Sequence, residues 1–303
     1  GEIATLLTAL GNRRETVEEI AGAAAAMRAH MTPVRSNREG ILDTCGTGGT
    51  GSRLFNVSTS AALVAAAAGV PVAKHGNRSV TSKNGSADVL EEIGVNIDAP
   101  IPVVERCLDE VGFCFCFART MHPAMRHVAP VRAKLGIRTI FNLLGPLSNP
   151  AGAEFQLLGT GLAETREKLA EALLLLETTR TVLITGAGGI GEVNLAGRTD
   201  VTVAESGKLQ ASSWLPEDFG LTAQPMDDIE VDSAQQSAAI IRDVLSAKPG
   251  AARDMVVLNA AAALWTAGKD DSLQNCARLA ADTIDSGAAE LLLQRLATVS
   301  QST

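Results

Sequence analysis

Two loops carry the residue types that could do chemistry. The first reads Asp43-Thr44-Cys45-Gly46-Thr47-Gly48-Gly49-Thr50-Gly51, and the second runs from Lys74-His75-Gly76-Asn77-Arg78 through Ser79-Val80-Thr81-Ser82-Lys83 to Asn84-Gly85-Ser86. Glycines lack a Cβ, so their peptide N–H groups approach an anion closely, and a helix that follows adds the positive end of its dipole. The second loop adds hydroxyls, amides and three cations, Lys74, Arg78 and Lys83. Such a pair suits a ligand with several phosphates.

Other uses of the glycines fit less well. Gly46, Gly48 and Gly51 satisfy G-x-G-x-x-G, but a dinucleotide site wants an acidic residue about 20 positions on, at the end of the next strand. That place holds Lys74-His75-Gly76. No Gly-Lys-Ser/Thr follows, so the loop is not a P-loop. A second G-x-G-x-x-G at Gly186, Gly188 and Gly191 resembles a short-chain dehydrogenase opening but is one residue short. The segment after it reads as extended structure with a turn at Gly197, not as a helix, and the chain has no tyrosine for that chemistry. The histidines at 30, 75, 122 and 127 show no metal-ligand spacing. Arg126, Lys134 and Arg138 read as solvated surface charges. Cys114 and Cys116, two apart in an apolar run, share a strand face as small buried hydrophobes.

The elements that must position these loops follow from pattern. Residues 2–30 read as helices broken at Gly11-Asn12, with a capping box from Thr16 to Glu19. Residues 41–44 form a strand, Ser58-Thr59-Ser60 offer N-caps for a helix over 61–68, and 70–73 form the next strand. Strand, loop, helix and strand in that order make a βαβ unit and hence a parallel sheet. Helices are expected over 86–93, 102–111 and 122–136, with a strand at 113–117 between the last two. Beyond these come strand 157–160, helix 164–176, strands 181–185 and 201–205, helix 233–246, a strand or helix over 255–264, and helix 271–298. The fold class is α/β, with both loops leaving the carboxyl ends of neighbouring parallel strands, where such sheets bind ligands.

Composition narrows the function classes. The 303 residues carry a formal charge of −8, with two tryptophans and seven phenylalanines. That argues against broad nucleic-acid binding and leaves few aromatic platforms on which bases could stack. The longest apolar stretch, 61–72, is too short to span a bilayer, and the opening residues carry no basic cluster, so a cytoplasmic protein is expected. Five cysteines without a CxxC pair read as reduced thiols.

Longer blocks are more specific. GTGGTG (46–51), NVST (56–59), KHGNRSVTSKNGSAD (74–88), HPAMRHVAPVRAKLGIRTIFNLLGPLSNPA (122–151) and the place of Glu192 resemble the anthranilate phosphoribosyltransferases. The resemblance implies a small helical domain (1–37 and 101–136), opening without a helix or two of the family's, and a larger α/β domain (38–100 and 137–303) with a mainly parallel central sheet. It also implies a homodimer through the helical domain and ligands in the cleft between the two domains. It further implies phosphoribosyl diphosphate with Mg²⁺ as donor, anthranilate as acceptor, and a place in tryptophan biosynthesis. Gly46, Thr47, Gly49 and Thr50 would lie on the diphosphate side. Asn56, Val57, Ser58 and Thr59 would hold phosphate at a helix start. Lys74, His75, Gly76, Asn77, Arg78, Ser79, Val80, Thr81, Ser82 and Ser86 would cradle the rest of the donor. Asn77 and Arg132 would position the acceptor as the catalytic pair, Arg132 by pairing with its carboxylate. His75 and His122 would sit near the acceptor channel, and Ser58 and Glu192 would hold the metal. A nucleoside phosphorylase shares this architecture, but the 122–132 block favours the transferase. A non-catalytic, nucleic-acid-binding relative is the other alternative, opposed by the net charge and the intact loops.

Three departures from the family pattern stand out. Thr50 replaces an aspartate, Arg53-Leu54 replaces small polar residues, and Gly188 and Gly191 occupy usually acidic places beside Glu192. Mg²⁺ is held by one or two carboxylates plus substrate phosphates, so one carboxylate should bind it more weakly than two. Restoring the second with Gly191→Asp is expected to lower the Mg²⁺ concentration that saturates turnover. A saturation point unchanged in a Mg²⁺ titration would count against the idea.

Overall fold

In a computed structural model, residues 1–48, 52–78 and 84–302 are described. Gly49, Thr50, Ser79, Val80, Thr81 and Ser82, expected in the site, lie outside them. The helices are α1 (Glu2–Arg13), α2 (Val17–Ala29), α3 (Val57–Ala67), α4 (Ser86–Glu92), α5 (Ile101–Arg106), α6 (Ala118–Met121), α7 (Ala129–Leu135), α8 (Phe141–Leu144), α9 (Ala163–Leu175), α10 (Ala234–Leu245), α11 (Ala251–Thr266), α12 (Leu273–Asp285) and α13 (Ala288–Gln301). The strands are β1 (Leu42–Gly46), β2 (Val72–Gly76), β3 (Phe113–Phe117), β4 (Phe155–Gly159), β5 (Arg180–Gly186), β6 (Thr199–Glu205) and β7 (Lys208–Trp214).

The strands form one sheet in the order β3-β2-β1-β4-β5-β6-β7, parallel from β3 to β5 and antiparallel beyond. Chain order reverses between β1 and β4, and open sheets of this kind bind ligands outside such a point. Side chains alternate across the sheet. Leu157, Val182 and Ile184 enter the core beneath α3 and α11, whereas Leu158 and Leu183 enter the core beneath α2, α8 and α9. Strands buried on both faces read as continuous apolar runs, as 182–184 does.

Several expectations are refined. The capping box at Thr16 forms as expected. The first helix continues through Gly11-Asn12 to Arg13. Helix α3 starts earlier than the hydroxyl run implied, because the Asn56 side chain accepts the Thr59 N–H and caps it. The 102–111 helix ends as a π-helical turn over Cys107–Val111, and the 271–298 helix breaks at Gly287, which adopts φ 76. The 122–136 helix is a 3₁₀ turn (Pro123–His127) followed by α7, because Pro130 cannot donate to a continuous ladder. Strand β3 pairs with β2 along its length, so the 101–136 stretch assigned to the helical domain contributes the sheet's edge strand. Strand β7 was not expected; its first six residues are exposed and lack an apolar alternation. It returns from β6 through Ser206-Gly207, both at positive φ, a two-residue hairpin turn.

Backbone packs against backbone at the end of β4. A Cβ built on Gly159 would lie 1.8 Å from the Gly191 carbonyl oxygen, and one on Gly46 would lie 3.1 Å from the Gly159 oxygen. No side-chain rotation relieves a clash with main chain. Gly159→Ala is therefore expected to destabilise the fold by about 3 kcal/mol, the upper part of the overpacking range, and thermal melts will measure it. A melting temperature within a degree or two of the parent would show the contact to be looser than described.

Candidate active site

Strands β1 and β2 part as they reach their carboxyl ends. Their ladder pairs at Leu42 and Val72, whereas β1 and β4 pair over five positions. The peptide groups freed by the parting are satisfied by side chains, because unpaired buried backbone groups are costly. Asp43 Oδ1 accepts the His75 N–H at 3.0 Å, and Asn149 Nδ2 donates to the Ala73 carbonyl at 2.8 Å. Lys74 Nζ donates to the Thr44 carbonyl at 2.5 Å and to the Thr44 and Ser58 hydroxyls at 3.2 Å. Burial pushes the Asp43 carboxyl up and the Lys74 amine down, while their mutual attraction pulls each back toward its charged form. Lys74 thus sits beneath the first loop as an enclosed cation, with its three N–H groups directed at protein oxygens.

The parted ends leave room for both loops. Thr47 N–H donates to the Gly159 carbonyl at 3.0 Å, which seats the first loop against β4. Asn56 joins the loops: its Nδ2 donates to the Asn84 carbonyl, and its Oδ1 accepts from the Ser58 hydroxyl. Val57 and Thr59 are buried inside α3, and Ser58 lies half-buried at the helix start. Gly76 leaves little room for a side chain, since a Cβ there would meet the Ser86 hydroxyl at 2.2 Å and the Phe115 ring at 2.9 Å and both would have to shift. Asn77 is exposed at the loop's edge, and Arg78 turns outward to Asp88 and Glu91 at 2.8 and 2.9 Å. Arg53, which departs from the family pattern, pairs with Asp232 at 2.6 Å.

Arg132, on α7, is half-buried. Its guanidinium lies 5.6 Å from the Phe141 ring centroid and 3.5 Å from Asn142 Oδ1. Asn142 Oδ1 is itself fixed by the Thr139 N–H at 2.9 Å. Phe141 and Asn142 were not singled out by sequence; the pairing is through space, and only their place in the long 122–151 block hinted at it. His75 and His122 are both buried, with their Nε2 atoms 3.0 Å apart. Arg126, Lys134 and Arg138 are exposed, as read from sequence, and Cys114 and Cys116 lie buried with sulfurs 3.9 Å apart.

Glu192 follows the β5 turn. Its Oε2 is shut away from solvent with no hydrogen-bond partner, and burial raises its carboxyl to about 7 against the pull of Lys74. An acceptor oxygen left without a donor fits a cation partner. Among the described residues no group of three or more His, Cys, Asp or Glu could hold a metal alone. The Glu192 carboxylate is an oxygen donor of the kind Mg²⁺ takes when substrate phosphates carry most of its coordination.

A parallel sheet opened at two strand ends, beside a small helical layer, offers the place where α/β folds of this kind bind their ligands. Residues 38–290 match the α/β domain of the glycosyl transferase family, and residues 1–31 match its helical bundle domain. An anthranilate phosphoribosyltransferase of Rhodopirellula baltica is 49% identical over 98% of this chain and 86% of its own length. That of Rubrobacter xylanophilus is 50% identical over 98% and 87%. Among solved structures, the Thermus thermophilus anthranilate phosphoribosyltransferase superposes with a TM-score of 0.93 at 45% identity, covering 99% of this chain and 89% of that one. The Saccharomyces cerevisiae protein in complex with PRPP and Mg superposes with a TM-score of 0.91 at 30% identity, covering 99% and 85%. The chain belongs to the anthranilate phosphoribosyltransferase family.

Burial holds both His75 and His122 down to about 4. An unfolded histidine takes up its proton near 6.5, so between those values the unfolded chain binds more protons than the folded one. Their contribution to stability is complete above about pH 6.5 and is lost as pH falls toward 4. Melting temperature should fall across that window, and less steeply in His122→Gln. Parallel slopes for the two proteins in pH-dependent melts would mean that the buried imidazole does not carry the effect.

Proposed function

We propose that this chain transfers the phosphoribosyl group of 5-phosphoribosyl 1-diphosphate to anthranilate, giving N-(5-phosphoribosyl)anthranilate and diphosphate, as a cytoplasmic enzyme of tryptophan biosynthesis. The observation that carries the proposal is the parting of β1 and β2 beneath two donor-rich loops, with Arg132 held on the segment tied to them. The names of the relatives support the same substrates.

The reaction asks little acid–base chemistry of the protein. An aromatic amine is unprotonated at pH 7, so its nitrogen lone pair is ready to attack. The difficult event is departure of diphosphate, which leaves positive character on the anomeric carbon. Peptide N–H groups of the first loop and the start of α3 donate to the leaving oxygens as their charge grows. Glu192 and Ser58, together with the substrate phosphates, would hold Mg²⁺, which would supply neutralisation of part of that charge. Arg132 pairs with the anthranilate carboxylate, stacked on Phe141 and aligned by Asn142, and Asn77 keeps the amine in line with the breaking bond. The helical part of the molecule, α1, α2 and the segment from α6 to α7, supplies the acceptor side. We further propose a homodimer through this part, because α1 leaves Ile3 and Leu6 at 40% and 59% exposure.

Loss of anthranilate fluorescence on adding phosphoribosyl diphosphate and Mg²⁺ tests the activity. Arg132→Ala is expected to lower kcat/KM for anthranilate on the order of 10²-fold, comparable to losing one transition-state donor. Absence of turnover in the parent protein, with salt-dependent DNA binding in its place, would instead favour a non-catalytic relative.

A further inference from the structure

A cavity of about 270 Å³ lies between the end of α1, the stretch before α8 and the start of α9, and no residue of either donor loop lines it. Its wall is rich in donors without partners. Among the described residues, neither the Arg138 guanidinium nor the Lys168 ammonium has an ion pair or a side-chain hydrogen bond. Thr139, the buried polar residue of the wall, is 2% exposed, and its hydroxyl is shut from solvent with no hydrogen-bond partner. A buried hydroxyl left unmatched is costly. Helix α9 opens here with Leu162 at its N-cap and no side-chain cap, so its first N–H groups also lack a side-chain acceptor.

The charge of the wall has a sign. Of its two carboxylates, Glu164 is taken by Arg14 at 2.6 Å. Glu15 then stands against Arg138 and Lys168, which leaves a surplus of one positive charge beside the positive end of the α9 dipole. Arg138, Lys168 and the peptide N–H groups only donate, so their complement is a cluster of anionic oxygens. A carboxylate brings two oxygens. A phosphate brings three and up to two charges, which suits donors arriving from α9 and from the 138–139 stretch. Leu143, Leu162 and Leu169 give the cavity an apolar side as well.

We propose that this cavity is a second anion site, separate from the diphosphate loops, that takes a phosphate group, free or as a small phosphomonoester. Arg138 and Lys168 meet its charge, the Thr139 hydroxyl and the first turn of α9 complete the contacts to its oxygens, and the leucines receive the body of an ester. The site shares no side chain with the transfer chemistry proposed above. It borders the acceptor side through main chain alone, since the Thr139 N–H holds Asn142 Oδ1 at 2.9 Å.

Amide spectra of the full chain, titrated with inorganic phosphate and separately with phenyl phosphate, read the site at Thr139 and Thr165. Both amides should shift and saturate with a Kd of about 1 mM. Tighter binding of phenyl phosphate would assign the site to monoesters, and equal affinity would assign it to the free ion. In the double variant Arg138→Gln, Lys168→Gln the affinity read at these amides should fall about tenfold. Glu15→Gln, which removes a like charge, should raise it. Thr139→Val keeps the side chain's shape and removes an unmatched hydroxyl, so it should weaken phosphate binding while the melting temperature without anion holds or rises. Calorimetric affinity for phosphoribosyl diphosphate with Mg²⁺ should stay within about twofold of the parent in all these variants. Amides of Thr139 and Thr165 that stay still, alone or while those of Gly46 and Ser58 shift, would overturn the proposal. So would equal phosphate affinity in the parent and either the double variant or Thr139→Val, or a double variant that loses phosphoribosyl diphosphate in step with phosphate.

Discussion

The site depends on a gap in a ladder. Adjacent parallel strands normally satisfy each other's peptide groups to their ends, and β1 and β2 do not. Asp43, Lys74 and Asn149 take over the bonds that the parting leaves open. These substitutes are polar and buried, which is expensive unless each is matched. Here the Lys74 charge is met by two hydroxyls, a carbonyl and a nearby carboxylate. The same three side chains that keep the sheet closed electrically hold it open mechanically. The two loops start from that opening, and the width available to a diphosphate is set beneath them, not within them.

This arrangement separates two jobs. The donor side is built from main chain and small side chains on a rigid sheet, backed by α3, whose alanine-rich surface is buried almost all round. The acceptor side is built from short helical pieces joined by prolines and glycines, with Arg132 half-exposed among them. The two are joined by the Gly145 carbonyl and the two imidazoles, by Gln156 on the Pro146 carbonyl and by Asn149 on the Ala73 carbonyl.

Much of this was legible in the chain's residues. The βαβ unit around the first loop, the strand at 113–117 and the parallel sheet followed from apolar runs and glycine punctuation. The start of α3 was misread because three consecutive hydroxyls mimic caps, while the true cap, Asn56, stands just ahead of them. The β6–β7 hairpin was only half visible, since β7 has no buried face to impose a period of two. The site residues in the loops could be named because loops announce themselves by composition. Asp43, Asn142, Gly145 and Asn149 could not, because their roles exist only where distant segments meet. Glu192 was named by resemblance, yet its orphaned oxygen and raised carboxyl are properties of the folded surroundings alone.

The close stacking of Gly46, Gly159 and Gly191 has a consequence for how this scaffold changes over time. Where one bare backbone rests on another, there is no side chain to exchange and no space to add one. The contact between these backbones is thus closed to gradual retuning by substitution, whereas most residues from α6 to α8 carry a side chain that selection can alter. New acceptors would arise on that side, with the handling of the activated sugar inherited unchanged.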